Sequence, residues 1–326
     1  MNALWFVIGL LTLIVGAEVM VRGGAAVAAR LGISPIIIGL TVVSIGTSMP
    51  ELAVGVVAAA PDGSGALAVG NIAGTNVVNI LLILGLSALL VPLALAMRTF
   101  RFELPMMAVA ALLFWALAAD GNLSRIDGIV LVGAAVVYTV AVIWSARRES
   151  RAITDEFAAE FPPEPGGTST DVRRRTALHV AMTIGGIVVV VIGADWLVDG
   201  AVGMARGFGV SDALIGLTVV AIGTSAPELV TTVMTTLRGD RDIAIGNLIG
   251  SSIYNILLIL GITCLVPAGG LALPDSLVRI DIPVMVAVAL ACVPIFLSGR
   301  RVSRGERGLK VAAYLAYLAF VLTTQT

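Results

Sequence analysis

Two hexapeptides, GTSMPE at 46–51 and GTSAPE at 223–228, each set a carboxylate, two hydroxyls, a glycine and a proline inside an otherwise apolar run. Proline in a helix interior removes a backbone donor and clashes with the preceding turn. Gly46 and Gly223 loosen the backbone further. Each helix should therefore break and free carbonyls around Ser44 and Ala221. Unpaired carbonyls are tolerated at membrane depth only where they line a cavity or bind something. Thr47, Ser48, Thr224 and Ser225 add neutral oxygens, and Glu51 and Glu228 add charge. A carboxylate at mid-membrane is costly and points to function. Two that face each other repel, and demand cations or protons. Carboxylate, hydroxyl, amide and carbonyl oxygens suit hard cations, calcium or sodium, and argue against zinc or copper. The two carboxylates balance one Ca²⁺ or two Na⁺.

A second pair of motifs supplies more oxygens. GNIAGTNVVNILLILG at 70–85 matches GNLIGSSIYNILLILG at 246–261. Thr75 and Asn79 are four residues apart, as are Ser251 and Asn255, so each pair shares one helix face. Gly70, Gly74, Gly246 and Gly250 should let that face approach the broken helix closely. Asn76 and Ser252 fall off the face.

These motifs belong to a longer duplication. GLTVVSIGTSMPEL at 39–52 matches GLTVVAIGTSAPEL at 216–229. Gly16-Ala17-Glu18 pairs with Gly193-Ala194-Asp195, and Arg101-Phe102-Glu103-Leu104-Pro105 with Arg279-Ile280-Asp281-Ile282-Pro283. The elements that carry them read as an all-α membrane protein. The 326 residues are 58% hydrophobic and 13% charged, against about 25% charged in soluble domains. Mean hydropathy is +1.04. Apolar segments predict ten transmembrane helices near 3–29, 33–60, 66–92, 102–119, 126–146, 177–205, 210–237, 243–266, 279–298 and 307–323, the second and seventh broken. The polar, Pro/Gly-rich stretch 147–176 reads as a linker between five-helix repeats at 1–146 and 177–326. An odd helix count per repeat makes the second copy enter from the opposite side, the inverted repeat of many secondary transporters.

With the N-terminus outside, 17 of the 20 basic residues fall on the cytoplasmic side, leaving Arg125, Arg206 and Arg279 outside. That asymmetry predicts both termini outside and a cytoplasmic linker. The N-terminal segment reads as a first transmembrane helix and not a removable signal, and short loops suit a prokaryotic inner membrane.

Other functions find little support. Net charge is −1, so nothing favours nucleic acid. There is no HExxH or CxxC, and His179, the single histidine, falls near the linker–helix junction, so an intramembrane enzyme is not expected. Cys264 and Cys292 read as packing residues. Glu18, Asp195, Glu103 and Asp281 read as interfacial acids or partners of nearby arginines, and Asp199 and Asp212 as surface residues. A monomer is expected, with the lipid bilayer and its transported ions as partners and no resident cofactor. A channel is disfavoured because an inverted repeat suits alternation.

The paired motifs resemble those of the sodium/calcium exchangers, in the cation/calcium exchanger superfamily, whose two alpha repeats carry G-[TS]-S-x-P-[ED] and G-N-x-x-G-[ST]. The resemblance covers both repeats and all ten helices. It implies Na⁺-driven Ca²⁺ antiport through clustered mid-membrane sites. A central calcium site would use Glu51, Glu228, Thr47 and Thr224. Flanking sodium sites would use Ser48, Thr75, Ser225 and Ser251, with carbonyls at Ser44 and Ala221, while Asn79 and Asn255 line the middle. Some relatives, including potassium-dependent ones, carry Asp where this chain has Asn255, so the resemblance implies K⁺-independent exchange. The alternative in the same fold is Ca²⁺/H⁺ antiport, since buried paired carboxylates can exchange protons.

Overall fold

The computed structural model describes residues 2–31, 35–60, 65–90, 102–146, 169–207, 221–239, 241–297, 312–316 and 318–319. They are almost wholly helical. We number the helices α1 (Asn2–Leu31), α2 (35–47), α3 (Met49–Ala58), α4 (65–90), α5 (Leu104–Ala118), α6 (Arg125–Ala146), α7 (Ser169–Gly207), α8 (Ala221–Thr224), α9 (Ala226–Arg238), α10 (241–265) and α11 (277–297). Among the described residues five helices are long and apolar enough to cross a membrane, or six if the pair at 39–47 and 49–58 is one span. Others fall short by length, as do α5 with 15 residues and α9 with 13.

α7 begins at Ser169 rather than at 177, so the C-terminal end of the expected linker is helical. Pro165-Gly166-Gly167 is the last helix-breaking run in the sequence before it. His179 consequently sits inside a helix, not at a junction. Residues 147–168, 208–220 and most of the expected tenth helix lie outside the described residues.

α1 and α7 pack antiparallel along most of their length, and glycine explains how. Gly9, Gly16 and Gly23 on α1 and Gly186, Gly193 and Gly200 on α7 each recur every seven residues. A Cβ at Gly16 would lie 2.7 Å from Val190 N, one at Gly23 2.7 Å from Thr183 N, and one at Gly193 2.6 Å from Leu13 N. The backbones touch as small-residue membrane interfaces do.

α4 and α10 are the largely buried helices, while α1, α6 and α7 turn most of their apolar surface outward. Val137, Ile126 and Leu4 are among many exposed large hydrophobics, the expected dress of a lipid-facing surface. The core joins α4, α5, α6, α10 and α11, with Phe114, Tyr138 and Tyr254 fully buried in it. Tyr138 donates to Glu103 Oε2 at 2.7 Å, so this acid is buried and not interfacial. Asp281 is also buried, whereas Glu18 pairs with Arg22 and Arg238 as the arginine reading anticipates. Cys264 and Cys292 are buried free thiols. A two-stranded ribbon, β1 (Asn122–Leu123) with β2 (Leu271–Ala272), ties the α5–α6 loop to the α10–α11 loop.

Candidate cation-binding site

The two hexapeptides break their helices in the same way. Ser48 has φ −84° and ψ 8°, and Ser225 has φ −82° and ψ 2°, so both leave the helical region at the same motif position. The bend between α2 and α3 is 47°. Pro50 and Pro227 then occupy the first turn of α3 and α9, where a missing N–H costs nothing. Glu51 and Glu228 follow in that first turn, near the positive end of the helix. One expectation needs correction. The Ser44 carbonyl is not freed, since it accepts the Ser48 N–H at 3.1 Å. The carbonyls that proline deprives of a helical donor are four residues before it, at Gly46 and Gly223. Ala221 is the first described residue of α8, and its side chain lies outside the described residues.

The site forms where the broken helices meet α4 and α10. Glu51 and Glu228 are both fully buried and close enough to feel each other's charge. Ser48 Oγ donates to Glu228 Oε1 at 3.3 Å, and the Thr47 and Ser251 hydroxyls also face that carboxylate. Thr47 Oγ1 lies 3.3 Å from Ser251 Oγ, 3.2 Å from Asn247 Oδ1 and 3.3 Å from the Ser44 carbonyl. Ser251 Oγ lies 3.5 Å from the same Ser44 carbonyl. Ser44 Oγ is spent on backbone, reaching Gly39 O at 2.5 Å and Asn247 O at 3.0 Å, and so pins α2 to α10. Thr224 Oγ1 reaches Asn71 Oδ1 at 3.5 Å across the other half. Ser225 is buried at the α8–α9 break.

Several polar atoms in this interior have no partner from another residue among those described. They are both oxygens of Glu51, Glu228 Oε2, Thr75 Oγ1, and the amide oxygen and nitrogen of Asn79 and of Asn255. Thr75, Asn79 and Asn255 are fully buried. A buried unsatisfied group costs about 1–3 kcal/mol, more if charged. So many together call for compensation by cations, protons or water. The cluster is rich in acceptors and poor in donors: the Thr47 hydroxyl has one proton and three acceptors within reach. What such a set lacks is positive charge, and no arginine or lysine pairs with Glu51 or Glu228 among the described residues. The described residues hold no cluster of three His, Cys, Asp or Glu side chains.

Asn79 and Asn255 sit at the start of π-helical turns, Val78–Ile83 in α4 and Asn255–Leu260 in α10. Such turns widen the helix and favour functional sites. Two residues went unremarked in the motif reading. Asn247 accepts from Thr47 and donates through Nδ2 to Thr232 Oγ1 at 3.3 Å, and Asn71 holds the equivalent place beside Thr224. The same four-residue spacing that groups Thr75 with Asn79 places Asn71 one turn earlier on that face.

A helical membrane protein that gathers two buried acids and neutral oxygens between broken helices has the form of a cation carrier. The family model described as sodium/calcium exchanger protein matches residues 1–144 and 178–323, and the chain belongs to that family. It is therefore a transporter and not an enzyme. The sodium/calcium exchanger MaX1 of Methanosarcina acetivorans is 31% identical over 97% of each chain. The inner membrane protein YrbG of Escherichia coli is 36% identical over 97% of this chain and 95% of its own. The solved sodium/calcium exchanger from Methanococcus jannaschii superposes with a TM-score of 0.80, at 27% identity, over 98% of this chain and 97% of that one.

Proposed function

We propose that this chain exchanges Na⁺ for Ca²⁺ across a cell membrane by alternating access, without K⁺. The observation that carries this reading is the donor-poor oxygen cluster around Glu51 and Glu228. Ca²⁺ takes six to eight oxygens, and a cage of two carboxylates with neutral hydroxyls and amides balances its charge with one ion or two Na⁺. In this reading Glu51, Glu228, Thr47 and Thr224 hold Ca²⁺. Ser48, Thr75, Ser225 and Ser251, with the Ala221 carbonyl and the lone pair of the Ser44 carbonyl that the Ser48 N–H leaves over, serve Na⁺, and Asn79 and Asn255 line the centre. The ions are cargo and no resident cofactor is needed. Neutral Asn255 leaves two negative charges in the cage, which supports K⁺ independence. Empty carboxylates would be stranded in low dielectric during a helix slide, so occupied states move and empty ones do not.

The reading also takes the chain as a monomer of ten spans in two inverted halves, with both termini outside and the 147–176 stretch in the cytoplasm. Two contacts support it. The β1–β2 pairing needs the loops after the fourth and eighth spans on one side of the membrane. Glu18 pairs with both Arg22 and Arg238, which the topology assigns to the cytoplasmic side. The matches to a sodium/calcium exchanger by name and to an inner membrane protein by name agree with the activity and the membrane. The test is ⁴⁵Ca²⁺ uptake into proteoliposomes driven by a Na⁺ gradient with pH clamped. Uptake that follows ΔpH and ignores Na⁺ would replace this reading with Ca²⁺/H⁺ antiport.

A further inference from the structure

One polar feature of the interior lies outside the cage. From Glu228, α9 continues with Thr231, Thr232, Thr235 and Thr236, at +3, +4, +7 and +8, which is a single stripe down one helix face. All four threonines are buried. Thr235 returns its hydroxyl to the Thr231 carbonyl at 2.8 Å, and Thr232 accepts from Asn247. Thr231 Oγ1 and Thr236 Oγ1 have no partner among the described residues. α9 packs against α10, α1 and the 78–90 part of α4. That part of α4 brings Ser87, also fully buried and also without a partner. Eight residues at 1.5 Å each carry the stripe about 12 Å, close to half the hydrocarbon thickness of roughly 30 Å. Its far end is the end of α9 that bears Arg238, which Glu18 engages together with Arg22.

The other half lacks this feature. The residues that follow Glu51 at the same spacings are Val54, Gly55, Ala58 and Ala59. That face is also packed shut: a Cβ at Gly55 would lie 2.6 Å from Thr263 Oγ1. Thr263, the counterpart of Ser87, donates to its own helix at the Ile259 carbonyl, 2.8 Å away. A duplicated sequence has thus kept its carboxylates alike and made the two exits different.

We propose that the α9 hydroxyl stripe is a passage for partly dehydrated hard cations, Na⁺ or Ca²⁺, between the buried carboxylates and the membrane face that bears Arg22 and Arg238. Hydroxyls spaced one turn apart replace part of the ion's water shell, while the Val54–Ala59 stretch carries none and meets the Thr263 hydroxyl, which is donated to its own helix. The proposal rests on the cation-exchange reading above and adds an asymmetric route to it.

The experiment pairs Thr231→Val with Thr236→Val, which keep side-chain shape and remove the hydroxyls. Na⁺-driven ⁴⁵Ca²⁺ uptake in proteoliposomes should slow by at least about tenfold, the size of a lost hydroxyl–charge contact. Ca²⁺ affinity by calorimetry on the purified protein should stay within about twofold, because the cage is untouched. Thr231→Ser with Thr236→Ser should restore the rate. An unchanged rate in the valine pair overturns the proposal, as does a rate loss matched by an equal affinity loss. If the valine pair does not insert, cysteines at 231 and 236, in a chain with Cys264 and Cys292 replaced by alanine, should react with an impermeant charged thiol reagent from the Arg238 side. No reaction at either position overturns the proposal. Failure of the exchange reading itself looks different, because Ca²⁺ uptake by the unaltered protein would then not follow the Na⁺ gradient.

Discussion

Gly250→Ala probes the closest approach in the candidate site. Gly250 lies on α10 against α2, where a Cβ would stand 2.7 Å from the Leu40 carbonyl and 2.9 Å from Leu40 Cα, and would collide with Ser44 Oγ. Backbone cannot rotate away as a side chain can, so α10 and α2 must part by on the order of 1 Å, at a cost of about 1–3 kcal/mol. The contacts that suffer are those beside Gly250: Thr47 to Ser251 at 3.3 Å, Thr47 to Asn247 at 3.2 Å, and Ser44 to Asn247 O at 3.0 Å. Each would pass the limit at which a hydrogen bond holds. Ca²⁺ affinity should fall by about tenfold or more, since each 1.4 kcal/mol is a factor of ten. Gly74→Ala is the matched control. It holds the equivalent place in the other half, yet among the described residues a Cβ there meets nothing within 4 Å. It should leave affinity and thermal stability unchanged. Calorimetric Ca²⁺ titration of both purified variants, with thermal unfolding alongside, decides the matter. Equal effects of the two substitutions would refute the reasoning, because sequence alone treats the two glycines alike.

Three further outcomes follow from the cage. Glu51→Gln or Glu228→Gln should abolish Na⁺-driven ⁴⁵Ca²⁺ uptake while the protein still inserts, and retained exchange in either would remove that glutamate from the centre. Asn255→Asp adds a charge to a buried group of acceptors and should raise cation affinity about tenfold and add K⁺ sensitivity. An unchanged ion profile by calorimetry in Na⁺, Ca²⁺ and K⁺ would put Asn255 outside the cage. Asn247→Ala frees Thr47 and Thr232 of a shared partner and should lower Ca²⁺ affinity by about three- to tenfold, about 0.5–1.5 kcal/mol per hydrogen bond. A change confined to stability, read by thermal unfolding, would make Asn247 a packing residue.

What residue types and spacing settle here is local chemistry. A proline in the interior of an apolar run must interrupt the helix, and the break duly appears at Ser48 and Ser225 with nearly identical angles. Carboxylates in an apolar run must find compensation, and the four-residue period puts Thr75 with Asn79 and Ser251 with Asn255 before any packing is known. Family membership also follows from the motifs. What they do not contain is which of two like faces is packed and which is open. The use of the Ser44 hydroxyl as a pin and the service of Asn247 to Thr47 depend on a neighbour some two hundred positions away. So does the difference between Gly74, where a Cβ would meet nothing within 4 Å among the described residues, and Gly250, where it would touch Leu40. The halves are near copies in sequence, but each packs against different neighbours. Contact with those neighbours, not the motif, decides where an oxygen is left for a cation.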